Sequence, residues 1–235
     1  MNLTTTLNRY SVFFYAFFAV SAVFAFWPGY LSQIFQEPAA LVHIHGALMS
    51  LWLAMLISQA FLIRSNRRAI HKQIGKLSYV LAPLVLLSMA TIRHNAMAET
   101  GLPVAEQDLS LLFPNVIGQP LTFALAFGLA LYYRHDPGTH ARFMLCTPLP
   151  MAGPIFNRIM GSYTSLEINF AQATSNAVLI LIASLLVWDW LVHRSFKVFP
   201  IILTLLISVG VIWSSLAGTA ALESFGRWYL ALPLS

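Results

Sequence analysis

Seven apolar stretches separated by short polar segments take up most of this 235-residue chain, over residues 10–27, 41–63, 74–97, 109–133, 141–160, 168–192 and 199–221. Each is close to the roughly 20 residues that carry a helix across a bilayer core. Charged residues make up only 9% and hydrophobic ones 58%, against roughly 25% charged in soluble domains. That balance excludes a water-soluble globular domain, a disordered chain and a nucleic-acid-binding module. The connections leave no room for a soluble domain. The expected fold is therefore all-α, a polytopic integral membrane bundle of seven transmembrane helices forming one domain over residues 1–235. The first stretch follows a single cation, Arg9, and is longer than a signal-peptide core, so it reads as a retained span.

The cations orient the chain, because Lys and Arg concentrate in cytoplasmic loops. With the N-terminus cytoplasmic, Arg9, Arg64, Arg67, Arg68, Lys72, Lys76, Arg134, Arg142, Arg194 and Lys197 share the inner side. Only Arg93, Arg158 and Arg227 fall outside, and with them all the acids except Asp136 and Asp189. This places the C-terminus outside and the protein in a bacterial cytoplasmic (inner) membrane. Cys146 is the single cysteine, which excludes an intramolecular disulfide and a cysteine-built zinc or iron–sulfur site. His-Glu-x-x-His and glycine-rich phosphate-loop motifs are absent. So is a lysine in the last span that could carry a retinal Schiff base.

Seven histidines are many for so apolar a chain, and imidazole is both costly in lipid and the commonest metal ligand. His43-Ile44-His45-Gly46 opens the second stretch. An antiparallel hairpin folded about residue 68 or 69 would put position 43 level with His94 and position 45 level with Ile92. Two imidazoles across a helix pair could hold haem b, and His43, His45 and His94 together could hold copper or zinc. Arg93 and Arg158 would neutralise haem propionates or an anionic substrate. Interfacial histidines wetted by headgroups fit the same pattern. His45, Trp52 and Gln59 are spaced by seven and share one helix face. Asn115, Gln119, Asn157, Asn169, Gln172 and Asn176 add polar groups at membrane depth, as a pocket lining or as interhelical hydrogen bonds. Pro148, Pro150 and Pro154 make a continuous fifth helix improbable. His71 and His140, in or beside charged turns, read as helix caps or phospholipid contacts, with a second histidine pair as the alternative. Asp189 and His193 read as an i, i+4 pair.

The run Phe26-Trp27-Pro28, His43-Ile44-His45-Gly46, Trp52, Gln59, Arg64 and His71-Lys72-x-x-Gly75 resembles a functionally uncharacterised family of bacterial multi-span membrane proteins. His140-x-Arg142-Phe143-Met144, Pro154 and Arg158 resemble that family's second signature. The histidine-bearing hairpins are also loosely similar to diheme b-type transmembrane cytochromes, which pair histidines on neighbouring helices near each face. With the inner histidines in turns, that resemblance implies one outer site. The expected function is haem or metal binding with electron transfer, as in a membrane-bound oxidoreductase. A carrier of a small polar or anionic solute and an assembly subunit of a membrane complex are the alternatives. The corresponding partners are the lipid bilayer, a quinone or polar solute, and other membrane subunits.

Overall fold

A computed structural model of the protein describes residues 3–36, 39–165 and 170–234. It is 80% helix, with no strand among those residues. Five helical segments are long and apolar enough to cross a membrane: α2 (Ala40–Arg64), α4 (Ser78–Ala98), a π-helical turn Pro114–Gly118 running into α5 (Gln119–Tyr132), α8 (Phe170–His193) and α9 (Phe199–Leu216). A shorter apolar run, Tyr10–Phe26, lies within α1 (Leu3–Phe26).

Three helix boundaries have local causes, and the first is the interruption that the prolines led the sequence reading to expect. The fifth stretch is two helices, α6 (Pro137–Cys146) and α7 (Leu149–Tyr163). They are separated at Thr147–Pro148, inside a run that is buried throughout. Pro148 and Pro150 remove the N–H groups that would continue the ladder. Such a break is tolerated at membrane depth because protein, not lipid, surrounds it. The last stretch ends early, at Leu216, where Gly218 takes a φ of +72° that only glycine adopts without strain. Thr219 then accepts a hydrogen bond from the Leu222 amide and starts a separate helix, α10 (Ala220–Leu230).

The third boundary sets the register of the site. Asn66 sits in the left-handed region at φ 58°. The Arg67 amide donates to Leu62 O at 2.8 Å and the Asn66 amide to Ile63 O at 3.0 Å. This pair of bonds is a Schellman ending, which satisfies the last carbonyls of α2. The chain thus reverses before residue 68, and Arg68 already opens a short helix, α3 (Arg68–Gly75). The turn is earlier than the sequence suggested, so every level between α2 and α4 slips.

In packing, α1 lies against α2 and α7, α2 against α4, α4 against α5, and α8 joins α7 to α9. Trp52 centres the largest apolar cluster, with Phe123 and Phe127 edge-on to its indole at 4.8 and 5.4 Å. A second cluster joins α5, α6, α8 and α9 through Ala126, Phe143, Ile182 and Ile202. A third seats α10 on the end of α4 through Met97, Leu112, Leu222 and Tyr229. Phe13, Phe17, Val80, Leu87, Ile180, Val187 and Val211 are exposed on the outside of the bundle. Apolar side chains directed outward suit lipid, not water.

The start of α6 carries a clean cap. Asp136 Oδ1 accepts from the Gly138 and Thr139 amides, and Thr139 Oγ1 donates to its Oδ2 at 2.7 Å. These bonds, the Thr139 hydroxyl first, hold the Asp136 carboxyl below its ordinary pKa. A depressed carboxyl contributes stability above its unfolded pKa and loses it as pH falls through the folded value. Asp136→Ala is expected to cost about 1 kcal/mol. The difference from wild type should shrink in acid as the cap protonates, read by denaturant titration at pH 7 and pH 3.

Candidate functional site

The outer histidines predicted to converge do not. His43 Nδ1 pairs with the Tyr30 hydroxyl at 2.8 Å. His45 Nδ1 meets Ser88 Oγ at 3.0 Å, where Ile92 was expected. His94 lies six residues beyond Ser88, about 9 Å further along α4 and about 240° round its axis. There it is buried against α10, its ring edge-on to Tyr229 at 5.3 Å, and neither ring nitrogen has a hydrogen-bond partner among the described residues. The trio fails because Asn66 places the α2 turn early, which slides His94 past both partners. Among the described residues no group of three or more His, Cys, Asp or Glu side chains is placed to hold a metal ion.

The other predicted residues divide into small hydrogen-bonded sets. Arg93 donates through Nη2 to Asp108 O at 3.3 Å, away from His45. Gln119 Nε2 donates to Asn115 Oδ1 at 3.0 Å within one helix. Thr174 Oγ1 donates to Asn157 Oδ1 at 2.9 Å and ties α8 to α7. Gln172 Nε2 donates to Asn176 Oδ1 at 3.0 Å on an exposed face. Asn169 lies outside the described residues. Among the described residues these polar groups make paired contacts on three helices.

The α2 stripe is real and crosses the bundle. His45 meets α4 at one end, Trp52 is fully buried in the middle with its indole N–H unpartnered among the described residues, and Gln59 reaches the basic end. There it brings in His71, which is part of helix α3 and not a turn residue. With its amide oriented to satisfy both ends, Gln59 donates to His71 O at 3.0 Å and to His71 Nδ1, and accepts from the Gly75 amide at 3.2 Å. Burial pushes the His71 imidazole below its ordinary pKa, which keeps the ring neutral at pH 7. His140 lies within α6, and its Nδ1 donates to Ala130 O at 2.8 Å. That carbonyl belongs to the last turn of α5, where helix carbonyls have no partner of their own. The two inner histidines thus each lie within a helix and are held by a neighbouring element, His71 by Gln59 of α2 and His140 by Ala130 of α5. An early turn and a strong Asp136 cap extend both helices past them.

A second buried set lies beside this pair. Arg142 Nη2 donates to Asp189 Oδ1 at 2.6 Å, joining α6 to α8. His193 Nδ1 is 3.2 Å from the same oxygen. The Asp189–His193 spacing was legible in the sequence. Arg142 was counted there only as a cytoplasmic cation, and nothing local ties it to a residue 47 positions away. Comparison with protein-family models, curated proteins and solved structures finds no match to the chain.

Proposed function

We propose that the protein is a seven-span redox protein of a bacterial cytoplasmic membrane, with its basic end cytoplasmic, that binds haem b between His71 and His140. One observation carries this reading. His71 of α3 and His140 of α6 are imidazoles on separate helices, and each Nδ1 has a hydrogen-bond partner, the Gln59 amide for His71 and the Ala130 carbonyl for His140. Fixing one ring nitrogen is how proteins orient the other toward a metal. The Ala130 carbonyl keeps the proton of His140 on Nδ1 and leaves the Nε2 lone pair available. With Gln59 donating to Nδ1 a neutral His71 carries its proton on Nε2, so ligation by His71 would require that proton to leave and the Gln59 amide to give up its bonds to His71 O and the Gly75 amide. Lys72, adjacent to His71, supplies a cation for a carboxylate of the group. Haem bound in this way supplies one-electron redox chemistry.

The test is an optical spectrum of the full chain, expressed with haem supply and purified in mild detergent. A Soret band that shifts on reduction is expected. His71→Ala and His140→Ala should each remove most of it while helical circular dichroism is kept, and His43→Ala and His94→Ala should leave it. No Soret band in the wild type, or one that survives both inner variants, overturns the assignment. A second reading, carriage of a small solute, is favoured by the buried break at Thr147–Pro148, since broken spans line substrate sites in transporters.

A further inference from the structure

The outward face of the helical run that carries His71 changes character along its length. Lys76 and Leu77, between α3 and α4, both keep right-handed helical dihedrals, so α3 runs on into α4. Along that run Arg68, Lys72, Lys76, Val80, Leu84 and Leu87 follow one another at spacings of four, four, four, four and three. That is the spacing of neighbours on one helix face, and all six side chains are exposed. The face is a single stripe, basic over its first half and apolar over its second.

The chain leaves the basic half uncompensated. Other cations are seated on protein: Arg64 stacks on Phe13 at 5.5 Å, and Arg158 stacks on Phe26 at 4.5 Å and donates to Pro154 O at 3.3 Å. Among the described residues Arg68, Lys72 and Lys76 make no ion pair, side-chain hydrogen bond or ring contact. The two acids that the sequence places at this end are both engaged, Asp136 in the cap of α6 and Asp189 with Arg142. Like charges one turn apart repel, and an anion laid across them removes that repulsion.

The level of the stripe says which anion fits. Gln59, which bonds to His71 and to the Gly75 amide, lies about 7.5 Å short of the end of α2. Lys76 follows Gly75, so it sits back beside α2, where α4 begins. From Lys76 to Leu87 the helix rises about 16 Å. That is close to one leaflet of a roughly 30 Å hydrocarbon core. A soluble acidic protein could meet the cations but could not follow Val80, Leu84 and Leu87 into a span.

We propose that this stripe binds an anionic phospholipid, with its phosphate on Lys72 and Lys76, Arg68 above them, and an acyl chain along Val80, Leu84 and Leu87. The ammonium groups act on the phosphate as point charges. Selection for a net negative headgroup follows from the stripe itself. The choline of a zwitterionic headgroup brings its own cation against three others, whereas the glycerol of phosphatidylglycerol brings none.

The full chain is placed in nanodiscs of equal phosphatidylcholine and phosphatidylglycerol, and the lipids retained on release are counted by native mass spectrometry. Wild type should retain phosphatidylglycerol over phosphatidylcholine by about fivefold or more. Lys76→Gln should lower that preference about fivefold, and the triple variant Arg68→Gln, Lys72→Gln, Lys76→Gln should bring it to parity. Replacing Arg134, Arg194 and Lys197 by Gln removes the same charge from the same end, yet should leave the preference within about twofold of wild type. All of these positions are exposed, and circular dichroism checks that each variant keeps its helix. Polyglutamate at equal charge concentration should fail to displace the retained lipid, because it has nothing to lay on the apolar half. Equal retention of the two lipids by wild type overturns the proposal, as does a triple variant that keeps the preference. A control variant that loses as much, or displacement by polyglutamate, overturns it too, by showing a surface that reads charge alone.

Discussion

Asp189→Ala is expected to destabilise the protein by about 3–5 kcal/mol, the usual cost of stripping one partner from a buried ion pair. Asp189 is 1% exposed and accepts from Arg142, whose side chain is 6% exposed. Without the carboxylate the guanidinium keeps its charge in an apolar setting, where it can neither reach water nor lose a proton. The contact joins α6 to α8, so the loss should appear as global destabilisation and not as fraying of one helix. Unfolding by a denaturing detergent, followed by circular dichroism, measures it. The paired replacement of Arg142→Met with Asp189→Leu should recover most of the loss, since an apolar pair has no charge to strand. A single variant as stable as wild type, or a double no better than the single, would show that the pair is already hydrated.

Trp52→Ala should cost a similar amount, about 3–5 kcal/mol, because it empties the centre of the largest apolar cluster. Trp52→Phe separates two contributions to that figure. The indole N–H is buried and unpartnered, so its removal relieves a desolvation cost while phenylalanine keeps the aromatic contacts with Phe123 and Phe127. The phenylalanine variant is expected to lose less than about half of what alanine loses. A loss equal to that of alanine would mean that the N–H is bonded in the membrane, to a bound molecule or to an ordered water.

Much of the fold was legible because bilayer physics acts on short sequence windows. An apolar run of span length folds as a helix wherever it lies, and the three prolines at 148, 150 and 154 announced the interrupted stretch before α6 and α7 were seen. The heptad spacing of His45, Trp52 and Gln59 marked the face of α2 that turns inward. Helix ends were less legible. Gly218 and Thr219 divide the last stretch, and the left-handed Asn66 closes α2 early, through backbone states that hydropathy does not register.

The candidate site depended on those ends. Hairpin levels are counted from the turn, so a displacement of two residues at Asn66 moved His45 from Ile92 to Ser88 and left His94 facing Tyr229. The same turn extended helix α3 through His71 and set it on Gln59. Sequence alone therefore determined the solvent of this protein, its helical character and the face of α2 that matters, since each is a property of composition or period. Tertiary structure alone decided that His45 meets Ser88 and His71 meets Gln59, and that Arg142 belongs to Asp189. Those are contacts between distant positions, and the geometry of a few buried turns sets their distance.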